Sequence, residues 1–321
     1  MSVRNLTRLC RPACLLVASA ATFIIGADYS SAGIQGTGRV ASLGRIDGSG
    51  NTISVNDVDY GLSQAQIQVD GQAASAAQLK IGQIVTVQGM VDGSGKGTAN
   101  SVTFTGSVVG PISQVDVTGG TFTVLGQQVM VDAATVFGDG LQLAGIRALG
   151  VGLGVEVSAY RNASGELLAS RVDLQTAGAP LQVQGAVEAL NTAAQTFQIN
   201  SLTVAYGQAR VNGNPANAST ATVTADAAPS AGTLQATTVR VTNGIAGAAA
   251  GVNGQVKGLI TSINSASSFN VGDQLVLTNS QTSFALQGNT LKVNLAVKVS
   301  GTFDSSGALV AQHVHGDPHA P

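Results

Sequence analysis

Apolar and polar residues alternate along this chain in short runs, and the runs recur in the same order four times. The clearest run is Leu79 to Phe104, LKIGQIVTVQGMVDGSGKGTANSVTF. Val85 and Val87 lie two apart, a Gly-rich turn follows, and Val102 and Phe104 return with the same spacing. A period of two marks a strand with one buried face, so this stretch predicts a β-hairpin. Its return strand recurs as Ala99-Asn-Ser-Val102, Ala169-Ser-Arg-Val172, Ala236-Thr-Thr-Val239 and Ala311-Gln-His-Val314. Each copy follows a turn with Ser94-Gly95, Ser164-Gly165, Ala231-Gly232 or Ser306-Gly307. A second signature comes earlier in each unit: Thr52-Ile-Ser-Val55, Thr121-Phe-Thr-Val124, Thr196-Phe-Gln-Ile199 and Ser268-Phe-Asn-Val271. Its second and fourth residues share one face and are expected to point inward.

Two signatures in one order divide the chain into repeats. Residues 38–105 form the first, 110–175 the second, 181–242 a diverged third and 255–316 the fourth. Residues 243–254, rich in Gly and Ala, read as a linker, and 317–321 as a tail. Within the first repeat the order is three strands, the Ala-rich stretch Gln72 to Leu79, then the hairpin. Alanine favours helix, so this stretch predicts a short helical plug; Leu141 to Leu149 fills the same slot in the second repeat. The predicted fold is all-β: a tandem array of four small OB-like β-barrels, each with a short helical plug. Asn212 to Thr222 predicts a loop inside the third repeat. Short junctions predict close packing among the first three repeats, and the Gly/Ala linker a looser fourth.

Residues 1–32 read as a secretory signal peptide. Arg4, Arg8 and Arg11 precede the apolar run Ala13 to Ile25, which is too short to span a membrane as a helix. Ala27 and Ala32 are the candidate cleavage points. Both cysteines, Cys10 and Cys14, lie in this segment, so the exported chain would hold no disulfide. Three of the 15 basic residues and one of the 17 acidic ones also lie there, which leaves a formal charge of −4. A hydrophobic content of 44% provides a core and disfavours disorder. The absence of Trp and the presence of only four Tyr disfavour a membrane barrel with aromatic girdles.

Candidate chemistry is sparse. After the leader the chain has no Cys, and its histidines, His313, His315 and His319, lie at the C-terminus. A nucleophile–base–orienter site would have to be built around a terminus. His313 and His315 share one face of a predicted strand, near Asp317, and are candidate Zn²⁺ or Ni²⁺ ligands. The ordinary alternative is a solvated tail. Asp47-Gly-Ser-Gly and Asp92-Gly-Ser-Gly echo a Ca²⁺ loop, but Val58 stands where such a loop needs Glu, so both read as hairpin turns. Phe122, Phe197 and Phe269 occupy the inward position and predict core packing rather than a stacking platform for bases. With the acidic charge, this argues against nucleic acid as a partner.

Gly33-Ile-Gln-Gly-Thr-Gly38, Ile53-Ser-Val-Asn-Asp-Val-Asp-Tyr60, Ile67-Gln-Val-Asp-Gly71 and Leu79-Lys-Ile-Gly-Gln-Ile-Val-Thr-Val-Gln-Gly89 resemble bacterial exported proteins built from the domain of unknown function 5666. The last stretch is similar to that family's LxVGxxVxVxG segment. Asp57 departs from it, since glycine is usual there. The resemblance implies small tandem β-barrels in the envelope or outside the cell. It implies no reaction and carries over no catalytic residue. The expectation is a non-catalytic, periplasmic or extracellular binding module that needs no cofactor. Its partner would be an envelope or extracellular polymer or protein. A structural or adhesive spacer is the alternative, and an envelope hydrolase is disfavoured.

Overall fold

The computed structural model describes residues 38–242, 244, 245 and 247–317. The predicted signal peptide and His319 lie outside the described residues. The first segment holds β1 (Gly38–Gly48), β2 (Thr52–Val55), β3 (Val58–Gly61), β4 (Gln66–Val69), β5 (Gln72–Ala74), β6 (Ile84–Val91) and β7 (Gly97–Phe104). The second holds β8 (Val108–Asp116), β9 (Thr121–Val124), β10 (Gln127–Met130), β11 (Val136–Phe137), β12 (Gly154–Arg161) and β13 (Leu167–Leu174). The third holds β14 (Leu181–Ala186), β15 (Glu188–Asn191), β16 (Thr196–Ile199), β17 (Leu202–Ala205), β18 (Arg210–Asn212), β19 (Thr220–Ala225), β20 (Thr233–Gln235) and β21 (Thr238–Thr242). The fourth holds β22 (Asn253–Ser265), β23 (Ser268–Val271), β24 (Gln274–Leu277), β25 (Ser283–Ala285), β26 (Ala296–Phe303) and β27 (Leu309–Gly316).

The fold is all-β and contains small closed barrels. In the first segment, pairing runs β1–β2–β3–β7–β6 and back to β1, with β3 and β7 parallel and the other pairs antiparallel. The same circuit closes as β8–β9–β10–β13–β12 and as β22–β23–β24–β27–β26. A two-residue turn in the left-handed region joins the second and third strands of the first two circuits, at Asn56–Asp57 (φ 53° and 66°) and Leu125–Gly126 (47° and 74°). Such turns match the twist of the strands they join. The inward signature is buried as expected: Ile53 and Val55, Phe122 and Val124, Phe197 and Ile199, Phe269 and Val271. Each buried Phe contributes about 1.5–3 kcal/mol.

Three expectations need correction. The third segment is not a barrel, so the array is not four barrels. Its first strand breaks at Val187, whose N–H donates to the Ser219 carbonyl while its own carbonyl accepts from Ala218. Ala189 then turns left-handed (φ 46°), and the strands divide into β14–β19–β21–β18 and β15–β16–β17–β20. The expected helical plugs are single 3₁₀ turns, Ala76–Gln78 and Gly145–Ala148. Leucines from this slot reach the cores instead: Leu79 at 4% exposure, and Leu141 and Leu149 at 3% and 7%. The alanines before Leu79 are at most partly buried, so they offer no continuous apolar face to hold a longer helix.

The third correction concerns the fourth segment, which is not loosely tethered. Val40–Leu43 of β1 pair in parallel with Asn253–Val256 of β22, joining the first and last barrels in one sheet. The Gly/Ala stretch before it packs down: Ile245 and Val252 are buried in the fourth core, and the Ile245 N–H donates to Gln274 Oε1 at 3.0 Å. The close packing expected among the first three segments is present. Gln182–Val183 of β14 pair with Val108–Val109 of β8, and the second and third segments share one core.

Candidate interaction site

The histidine pair comes first because the sequence points to it. His313 and His315 lie on β27, facing the same way, with ring centroids 6.1 Å apart. His313 Nδ1 is 2.6 Å from Ser283 Oγ on the neighbouring β25. Burial, then His313 and Lys298, holds the His315 imidazole below its usual value. Asp317 does not complete a ligand set, because its carboxylate pairs with Lys257 Nζ at 2.7 Å. Among the described residues no group of three His, Cys, Asp or Glu side chains converges for a metal.

The Asp-Gly-Ser-Gly motif is a turn. Asp92 Oδ1 accepts from the Ser94 N–H and hydroxyl and from the Lys96 N–H, which lowers the carboxyl pKa, Ser94 contributing most. Asp304 does the same with Ser306 and Ala308, and Asn162 with Ser164 and Glu166. These are self-capped hairpin turns whose acceptor oxygens serve the backbone.

The chemistry that sequence reading missed lies where segments meet. Asp70, in the β4–β5 turn, accepts from the Gly106 N–H at 2.8 Å and from Gln182 Nε2 at 2.9 Å. One carboxylate thereby ties the first segment, the junction and the third segment. Glu156 of β12 lies beside it. Burial, then the charges of Asp70 and Asp173, then a hydrogen bond with Asp70, push the Glu156 carboxyl up to about 8, against the opposing charge of Lys80. At neutral pH Glu156 therefore holds a proton and donates it toward Asp70.

Next to this pair Arg171 grips Asp173 with two nitrogens, at 2.5 and 2.7 Å, and donates a third hydrogen bond to the Ile81 carbonyl at 2.9 Å. The Ile84 N–H donates to Ser158 Oγ at 2.9 Å. A Cβ on Gly82 would sit 2.9 Å from the Ser170 carbonyl. The turn Leu79–Ile84 of the first segment is thus seated on β12 and β13 of the second. Its sequence, Leu79-Lys-Ile-Gly, has counterparts in Leu149-Gly-Val-Gly and Leu291-Lys-Val-Asn. Alignment of those three was the available signal.

Exposed apolar side chains lie between the third strand of a circuit and its long hairpin, on loops and on the short β25. Leu143 is fully exposed, Val151 is 73% exposed, and Phe284 and Val293 are about half exposed. The arrangement is a set of small barrels held together by loop-to-strand docking, with further apolar loop residues facing outward. Two stretches of this chain, residues 109–173 and 257–315, are similar to a described family, the Domain of unknown function (DUF5666). These stretches are the second and fourth segments, two of those whose pairing circuit closes. No curated protein matches the chain.

Proposed function

We propose that this protein is an exported, non-catalytic interaction module of a bacterial envelope. The observation that carries the reading is the outward set of apolar residues on the long loops, Leu143 and Val151 above all. A single exposed apolar residue is ordinary, whereas Ile81, Val151 and Val293 are exposed at one turn position in the three closed segments, which supports a contact surface. A five-strand circuit closed by one parallel pair supports an OB-like reading of the closed segments. The basic and then apolar opening, Arg4 to Ile25, supports export.

Two rival readings have less support. A spacer that sets length needs its repeats in line, whereas β22 returns to pair with β1. A hydrolase built on paired carboxylates needs them free and about 5–9.5 Å apart. Asp70 is committed to Gly106 and Gln182, and Glu156 hydrogen-bonds to it.

The test is binding of the purified protein to isolated envelope fractions: sacculi, lipopolysaccharide and envelope polysaccharide. Saturable binding that Leu143→Asp weakens at least tenfold, with an unchanged melting temperature, supports the module. Wild-type protein that binds none of them defeats the reading.

A further inference from the structure

One turn is built three times by the same two hydrogen bonds. The Gly82 N–H donates to the Ile46 carbonyl and the Ile46 N–H to the Gln83 carbonyl, both at 2.8 Å. Gly152, Ile112 and Leu153 repeat this at 2.8 and 2.9 Å, as do Asn294, Ile260 and Leu295. The backbone is left-handed at all three, with φ of 92°, 86° and 64°. The residue before it is apolar and exposed each time: Ile81 at 40%, Val151 at 73% and Val293 at 46%.

Two of the three turns are docked. That of the first segment sits on Ser158, Ser170 and Arg171 as described. That of the fourth touches the second, where Asn294 Oδ1 accepts from the Ala163 N–H at 2.7 Å. The turn of the second segment is different. Nothing lies within 4 Å of a Cβ placed on Gly150 or Gly152.

The seat recurs as well. Ser158 pairs with Arg171, and a bulge follows before Ala159 pairs with Ala169. In the fourth segment Ser300 pairs with His313, and a bulge follows before Gly301 pairs with Ala311. Thr135 Oγ1 donates to the Ala169 carbonyl at 2.8 Å, and Thr282 Oγ1 to the Ala311 carbonyl at 2.7 Å. Ser300, Gln312 and His313 therefore stand where Ser158, Ser170 and Arg171 stand. Gln312 is exposed, and His313 is half-buried. Ser283 Oγ engages His313 at Nδ1, which leaves Nε2 as the ring nitrogen at the position from which Arg171 reaches Ile81.

We propose that the turn Leu149–Gly152 of one copy docks on Gln312 and His313 of a second copy of this chain, beside the buried Ser300. The partner is a second copy because this chain carries both halves of a contact that it already makes within itself. The inference rests on the interaction-module reading and names one partner for it. Turn and seat are different surfaces, so two copies either exchange them reciprocally in a two-fold pair or join head to tail into a ring or filament.

The test is sedimentation of the full chain at increasing concentration, up to about 100 μM, where even a weak interface reports. Wild-type protein is expected to self-associate, and Val151→Asp and His313→Glu each to weaken this at least tenfold. Each variant keeps one intact half, so mixing the two restores a dimer. In case a variant folds poorly, Val151→Cys and Gln312→Cys chains, with Cys10 and Cys14 replaced by Ser, are mixed and oxidised. A mixed disulfide between the two chains is expected. A wild-type chain monomeric throughout, or variants that associate like wild type, overturns the proposal. Loss of envelope binding with self-association intact defeats only the broader reading.

Discussion

Glu156 and Asp70 belong to different barrels, yet a hydrogen bond joins their carboxyls, and burial followed by the charge of Asp70 pushes the Glu156 carboxyl up to about 8. This makes stability depend on pH in a definite direction. The folded chain holds the Glu156 proton up to about pH 8, whereas an unstructured Glu releases it near the reference value of 4.5. Between these values the unfolded chain binds fewer protons, so stability falls as pH rises and levels off above about 8. One proton sets a limit of about 1.4 kcal/mol per pH unit. Glu156→Gln keeps a donor for Asp70 and cannot ionise. Urea melts from pH 5 to 9 are expected to show a shallower decline in this variant, and a stability above wild type at pH 9. Parallel curves for the two proteins would refute the shared proton.

That pair was invisible in the sequence, and the reason is physical. A period of two is local, so the strands and their inward Phe122, Phe197 and Phe269 could be read from spacing alone. The meeting of residues 70, 106, 156 and 182 depends on how barrels pack, which no local pattern encodes. Alanine propensity pointed to a helix before Leu79, but the alanines there are not buried, and a single 3₁₀ turn carries the chain to the buried Leu79. Glycine and alanine before Asn253 looked like a free tether, because the spacing of Ile245 and Val252 says nothing about β1 waiting to pair with β22. The histidines were read for metal, whereas their register with Arg171 is a property of the sheet.

Arg171 is expected to be the costliest polar side chain to remove at the junction. It is 9% exposed and serves both Asp173 and the Ile81 carbonyl. Arg171→Ala leaves Asp173 with only Lys80 at 3.5 Å, so a loss of about 3–5 kcal/mol is expected. Arg171→Lys is not expected to rescue it, because one ammonium cannot reproduce the planar fork. Equilibrium denaturation of the two variants checks both statements. A loss below about 1 kcal/mol in the alanine variant would show the contact to be a surface pair in effect.

Close backbone approach, rather than the hairpin bulge itself, demands glycine at two positions, since Ala159 holds the same bulge in the second segment. A Cβ on Gly89 would run into the Thr98 carbonyl, and one on Gly301 into the Val310 carbonyl. Both contacts are with backbone, which cannot swing aside. Gly89→Ala and Gly301→Ala are each expected to cost about 1–3 kcal/mol or more. Gly48→Ala meets only Ser54 Cβ at 3.5 Å and is expected to stay within about 0.5 kcal/mol of wild type. Thermal melts of the three variants separate close approach from a general dislike of substituting glycine in strands.

The Gly/Ala segment before β22 is expected to resist protease despite its composition. Ile245 is 5% exposed and Val252 is 5% exposed, and the Gly251 N–H donates to the Phe303 carbonyl at 2.9 Å. Cleavage needs a stretch of backbone free to leave the surface, and these anchors hold it down. Ile245→Asp puts a charge among Val256, Val276 and their neighbours without a partner, and a loss of about 3 kcal/mol or more is expected. Ala250→Asp changes an exposed position and is expected to leave stability unchanged. Under limiting protease, wild type and Ala250→Asp should survive together while Ile245→Asp is cut between residues 244 and 252. Equal rapid cutting of all three would mean that the segment is a tether after all, and that the β1–β22 pairing alone holds the fourth barrel to the first.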